Sequence, residues 1–181
     1  MTTGPIRGAS RIAVVCVFFL LVLCVLGLAV NRSSLRSDGA LESHFVAHRA
    51  EFERLVAMAT EDVHLTRIAP TFTWLDDNVA WPRKNVGISE ERWNEYKRLF
   101  RRAGVRDGVL KGTDPARILF PIVSEGLVPS GYTKGVVYSA EPLNPVLKSL
   151  DERPPDKLWN GSHVLVYKPI EDHWYIYFEQ W

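Results

Sequence analysis

The sequence predicts an α+β fold: an N-terminal transmembrane helix followed by a small domain of two main helices packed on an antiparallel sheet. Three observations carry this. Ile12–Val30 has neither charge nor proline, residues 38–60 and 89–104 place apolar side chains at helical spacing, and from Gly108 onward short alternating runs are broken by Gly, Pro, Asn and Asp. Helices first and strands afterwards is the order of an α+β domain rather than of parallel βαβ units.

Ile12–Val30 would form roughly 28 Å of helix, close to the ~30 Å hydrocarbon core of a bilayer. The sequence therefore divides into a cytoplasmic tail at 1–11, a signal-anchor helix at 12–30 and an extracytoplasmic domain at 31–181. Arg7 and Arg11 precede the run without an acidic residue, whereas Arg32 and Arg36 after it are offset by Asp38 and Glu42. Positive charge favours the cytoplasmic side, which puts the C-terminal domain outside. A single-pass inner-membrane protein is expected. The alternative is a secreted or periplasmic product, because Gly27-Leu28-Ala29 also suits signal cleavage after Ala29.

Composition narrows the partners. The chain has 22 basic and 21 acidic residues, and Arg7 and Arg11 are the only charges before residue 31, so the remainder carries a net charge of −1. With no polybasic tract, nucleic acid is not an expected partner. Both cysteines, Cys16 and Cys24, fall within the apolar run, which leaves the domain without disulfides or thiolate metal sites.

Element by element, Leu41, Phe45, His48, Phe52, Leu55 and Ala59 make one stripe of a helix that Ser37 or Asp38 caps. Val63–Leu75 reads as extended, Asp76-Asp77-Asn78 as a turn and Trp81–Gly87 as a loop. Ser89 caps a second helix, with Glu90 and Glu91 in its first turn. Trp93, Tyr96, Leu99 and Phe100 form its apolar face, and Gly104 ends it. Strands are expected at Arg117–Val123, Gly135–Ala140, His163–Ile170 and His173–Trp181, the last two joined by a tight turn at Glu171-Asp172. Asp151–Gly161 reads as a long exposed loop.

Four groups of residues invite a chemical reading. His44, His48 and Glu51 have the spacing of metal donors on one helix face, but His48 sits in the apolar stripe and no further ligands accompany them, so no metal site is expected. Ser124 and Ser130 lie near Lys134, as a nucleophile and base would, yet the pattern fits no nucleophile-elbow, penicillin-binding or phosphate-loop signature. Ser130–Lys134 is expected to be an exposed turn, with Ser130, Tyr132 and Lys134 as ligand contacts rather than catalytic groups. Tyr175, Tyr177 and Trp181 alternate with the core-facing Trp174, Ile176 and Phe178, and would form an aromatic strip if that face were open. Lys97, Arg98, Arg101, Arg102 and Arg106 would suit anionic headgroups near a tether, or form a solvated helix face. No cofactor motif is present, and no catalytic residue is assigned.

The chain resembles small bacterial membrane-anchored or exported proteins that carry no assigned activity. The resemblance rests on Glu91-Arg92-Trp93 with Tyr96, on Ser130 through Lys134-Gly135 to Tyr138, and on Trp174-Tyr175-Ile176-Tyr177. It implies an exported α+β domain and transfers no catalytic residue. The expected function is a binding or interaction module of the cell envelope, held by the lipid bilayer through Ile12–Val30, with an envelope protein or glycan as its partner. The alternatives are an envelope hydrolase using the Ser124–Lys134 region and a cell-wall glycan binder using the C-terminal aromatics.

Overall fold

A computed structural model describes residues 37–75, 78–80, 86–113, 116–127 and 130–181. The expected spanning helix at Ile12–Val30 lies outside them. Among the described residues no helix is long and apolar enough to cross a membrane.

The α+β fold with an antiparallel sheet is present. Three α-helices, α1 (Asp38–Ala47), α2 (Arg49–Glu61) and α3 (Glu90–Arg102), accompany eight strands. These are β1 (Leu65–Ile68), β2 (Thr73–Leu75), β3 (Asn78–Ala80), β4 (Val109–Thr113), β5 (Ala116–Leu127), β6 (Ser130–Ser139), β7 (Val164–Glu171) and β8 (Trp174–Gln180). They form one sheet in the order β3-β2-β1-β4-β5-β6-β8-β7, antiparallel throughout. After β6 the chain crosses to the far edge to form β7 and turns back as β8 between them. His173 makes that return with φ +66°, so the tight turn sits one residue later than the sequence suggested.

The expected first helix is two. At His48 the backbone leaves helical geometry (φ −121°, ψ 21°), and its N–H is shared between the His44 and Phe45 carbonyls. The break re-aims the stripe. Leu41 and Phe45 on α1 meet the sheet, where the Phe45 ring lies 4.8 Å from Trp174, while α2 also packs on α3. The later helix follows the sequence closely. The Ser89 hydroxyl accepts the Arg92 N–H at 3.2 Å, the first turn is acidic, the last basic, and Gly104 follows the end in the left-handed region. Tyr96 and Arg92 tie it to the end of α2: both donate to Asp62 Oδ2, at 2.7 and 3.0 Å.

Register explains how one sheet serves two cores. Phe120, Val136 and Ile176 form one cross-strand row facing the helices, and Ile118, Tyr138 and Trp174 form another. Leu119, Val137, Tyr167 and Tyr177 point the opposite way and build a second, smaller cluster closed by Leu143. A bulge between Pro121 and Val123 shifts the alternation of β5, so that Val123 pairs with Lys134 and Ser124 with Thr133. Gly135 permits the close packing here. A Cβ on it would lie 2.1 Å from the Phe120 carbonyl oxygen and 3.0 Å from the Tyr177 ring. Gly135→Ala is accordingly expected to cost about 1–3 kcal/mol, the usual penalty for overpacking, and to displace Tyr177. A lowered Tm with altered near-ultraviolet dichroism would register both effects.

Ser130–Lys134 is not an exposed turn. It is the first half of β6, continuous with the ladder to β5 and β8. The lysine is 3 % exposed and faces the helices among apolar neighbours. A charge can occupy that row because compensating carboxylates reach it from two other segments.

Candidate functional site

Two clusters of polar groups occupy opposite faces of the sheet. On the helix face, Lys134 Nζ lies 2.8 Å from Asp38 Oδ1 and 2.8 Å from Asp151 Oδ1, and it donates to the Leu150 carbonyl. Asp38 is the first residue of α1 and is as buried as its partner. Its Oδ2 accepts the Leu150 N–H at 2.8 Å and sits 3.4 Å from Lys168 Nζ, which also binds Glu42 at 2.6 Å. Burial would raise the Asp38 carboxyl pKa, but the Lys134 and Leu150 hydrogen bonds and the two ammonium charges hold it below the ordinary value. Burial likewise opposes the Lys168 ammonium, and the Glu42 and Asp38 carboxylates hold its pKa above the usual lysine value. The cluster joins the start of α1, two strands and the loop after β6. Every member is matched by another, which is the arrangement of a structural clamp.

On the other face lies a cavity of about 340 Å³. Arg67 on β1 and Trp181 just past β8 both line it. Four inter-strand steps separate those strands, about 19 Å in a flat sheet. The cavity therefore runs across this face from β1 to the end of β8. Leu110, Leu119 and Pro121 supply an apolar floor. Trp181 stands at the rim, 41 % exposed, held by paired backbone hydrogen bonds with Gly131 at 3.1 and 3.2 Å.

Polar groups converge above that floor. Ser124 donates to Asp107 Oδ2 at 2.8 Å and His163 Nε2 lies 3.1 Å from Glu179 Oε1, whereas Tyr132 donates to Glu125 Oε2 at 3.0 Å from the helix-facing side. Tyr177 is 1 % exposed. Burial, followed by the negative charges of Glu179 and Asp107, pushes its hydroxyl well above the usual tyrosine pKa. The hydroxyl therefore keeps its proton at any physiological pH.

The structure brings Tyr177 and Trp181 to this cavity; Tyr132 borders it, but its ring stacks on Phe178 at 5.6 Å on the helix-facing side. It does not bring Lys134, which points to the opposite face, or Tyr175, which packs half-buried against the second cluster. Ser130 opens β6 opposite Leu127. The expected aromatic strip is interrupted, because Tyr177 is enclosed between Tyr175 and Trp181. Ser124 and Lys134 belong to neighbouring registers and project from opposite faces, so Lys134 cannot serve as a base for Ser124. Sequence reading missed Arg67, Asp107 and Glu179 as site residues. They come from β1, the turn before β4 and β8, and no local motif joins them.

The remaining candidates have other uses. His44 Nε2 donates to the Ala103 carbonyl at 2.8 Å, its ring lies 4.7 Å from that of His48, and burial lowers its pKa. Among the described residues no group of three or more metal-capable side chains forms. Lys97 sits 4.0 Å above the Trp93 ring, while Arg98, Arg101, Arg102 and Arg106 are exposed. No family model matches the chain, and neither a curated protein nor a solved structure shows significant similarity to it.

Proposed function

We propose that the chain is a membrane-tethered binding module of the cell envelope, and that its ligand site is the cavity between Arg67 and Trp181. One observation carries the choice of site: charged and hydroxyl groups from four strands and a turn converge on an open cavity with an apolar floor, the usual composition of a small-molecule pocket. The hydrolase reading is weaker because the face that holds Ser124 lacks Lys134. The glycan reading is weaker because Tyr177 is not offered to solvent. The tether rests on the length and composition of Ile12–Val30 and on the charge asymmetry around it.

Two measurements test the two halves of this reading. Alkaline carbonate extraction should leave the near-full-length chain in the membrane pellet, and a soluble product beginning at Val30 would remove the tether. For the cavity, a thermal-shift screen of small polar solutes against the full-length chain should find one that raises Tm. A ligand at a hundred times its Kd stabilises by about 2.7 kcal/mol. That is roughly 5–10 °C for a domain of this size. Ser124→Phe fills the cavity from an exposed strand position and should abolish the shift. A shift that survives Ser124→Phe puts the ligand elsewhere.

A further inference from the structure

Arg67 and the carboxylates of Asp107 and Glu179 line the same cavity without pairing with one another. The Arg67 guanidinium carbon lies 5.3 Å from the centre of the Phe72 ring and 5.7 Å from that of Trp74, so two aromatic rings flank the group. Its Nε is enclosed and has no hydrogen-bond partner among the described residues. Asp107 is engaged by one neutral hydroxyl, that of Ser124, and Glu179 by the His163 ring. Tyr177, 1 % exposed, lines the same cavity.

Opposite charges that line one cavity can close into an ion pair when their side chains reach one another. Here the fold keeps them apart. Arg67 is held by its flanking rings on β1, and the carboxylates are fixed on β8 and before β4. A molecule that carries both complementary charges could engage Arg67 and a carboxylate at once. A carboxylate matches the planar fork of a guanidinium, and an ammonium matches a carboxylate. The space available, about 340 Å³, is near the lower limit of ligand pockets.

We propose that the cavity binds a small zwitterion, a free α-amino acid or a dipeptide. Its carboxylate sits on Arg67, its ammonium on Asp107, and its side chain on the apolar floor of Leu110, Leu119 and Pro121. Tyr177 contributes its hydroxyl to the polar end of the same ligand. This rests on the reading of the cavity as the ligand site and adds the chemical class of the occupant.

The test is isothermal titration of the full-length chain in detergent with L-leucylglycine, its N-acetyl derivative, its C-terminal amide and the free amino acids. At least one unblocked zwitterion should bind saturably. A charge-assisted hydrogen bond removed from such a site costs about tenfold or more in affinity, so acetylation and amidation should each weaken binding by that factor. Arg67→Gln should weaken the parent tenfold or more and leave the affinity of the amide unchanged, since the amide has no charge for Arg67 to hold. Asp107→Asn should do the converse with the N-acetyl compound, and it serves if Arg67→Gln fails to fold. Equal binding of parent and amide, or no binding by any unblocked zwitterion at millimolar concentration, overturns the proposal. If amines or neutral sugars then raise Tm in the wild type but not in Ser124→Phe, the cavity remains the site and the zwitterion assignment alone falls.

Discussion

Deletion of Trp174–Trp181 is expected to abolish cooperative unfolding of the described domain. β8 is an interior strand, bonded on one side to β6 and on the other to β7. Its loss leaves β7 without its neighbour strand. It also removes Trp174, whose ring meets Phe45, Phe52, Phe120 and Tyr138, and with it the buried Ile176 and Tyr177. A single buried large aromatic cut to alanine costs about 3–5 kcal/mol. A typical domain has only about 5–15 kcal/mol of stability, so the strand carries more than the fold can lose. Thermal unfolding followed by circular dichroism should show a broad, non-cooperative loss of signal. A truncated chain that melts sharply at the wild-type Tm would refute the assignment of β8 to the core.

Lys134→Met is expected to destabilise by about 3–5 kcal/mol, the range for removing one member of a buried ion pair. The cost arises from Asp38, which remains enclosed with one ammonium fewer. Lys168 is still 3.4 Å away, which places the expected value toward the lower end. Asp38→Asn added to Lys134→Met should recover part of the loss, because the side-chain oxygen can still accept the Leu150 N–H while the uncompensated charge is gone. Urea denaturation of the two single variants and the double variant would measure the coupling. The pH dependence has a definite sign. The Asp38 carboxyl titrates below the ordinary aspartate value in the folded chain, so its contribution is present above the unfolded pKa and is lost as pH falls through the lower folded value. Wild-type stability should therefore drop below about pH 4. In Lys134→Met that drop should shrink, since burial then opposes the charged form. A Lys134→Met chain as stable as the wild type would show that the clamp is idle.

Most of the architecture was legible because its signals are local. Ser89, the acidic first turn and Gly104 bound α3 without reference to any other segment. The alternation of Trp174, Ile176 and Phe178 identified the helix-facing side of β8. The failures share a physical cause. The apolar stripe of residues 38–60 continues through His48, so periodicity alone cannot show that α1 and α2 serve different partners. The alternation Tyr132, Lys134, Val136, Tyr138 is that of a strand, yet a lysine beside glycines reads as a turn until Asp38 and Asp151 are seen to reach it. Long-range charge compensation leaves no mark on the local sequence. The cavity was half visible: Tyr177 and Trp181 stood out as aromatics, whereas Arg67, Asp107 and Glu179 come together only through strand pairing between distant segments. Gly135 was the one local hint, as a glycine in a strand otherwise rich in β-formers signals a close approach.

The outer margin of β7 bears on how copies of this chain coexist. Tyr167 directs both its amide groups outward, and both are taken, the N–H by Pro145 and the carbonyl by Leu147. His163, two alternations earlier, is matched in the same way by Asn160, and Pro169 has no N–H to offer. By the same alternation Leu165 is the outward donor left between them. At the opposite margin β3 is only three residues long. A strand from a second molecule thus meets little it can extend, and tethering many copies to one surface would crowd them without giving them a template for sheet-to-sheet polymerisation.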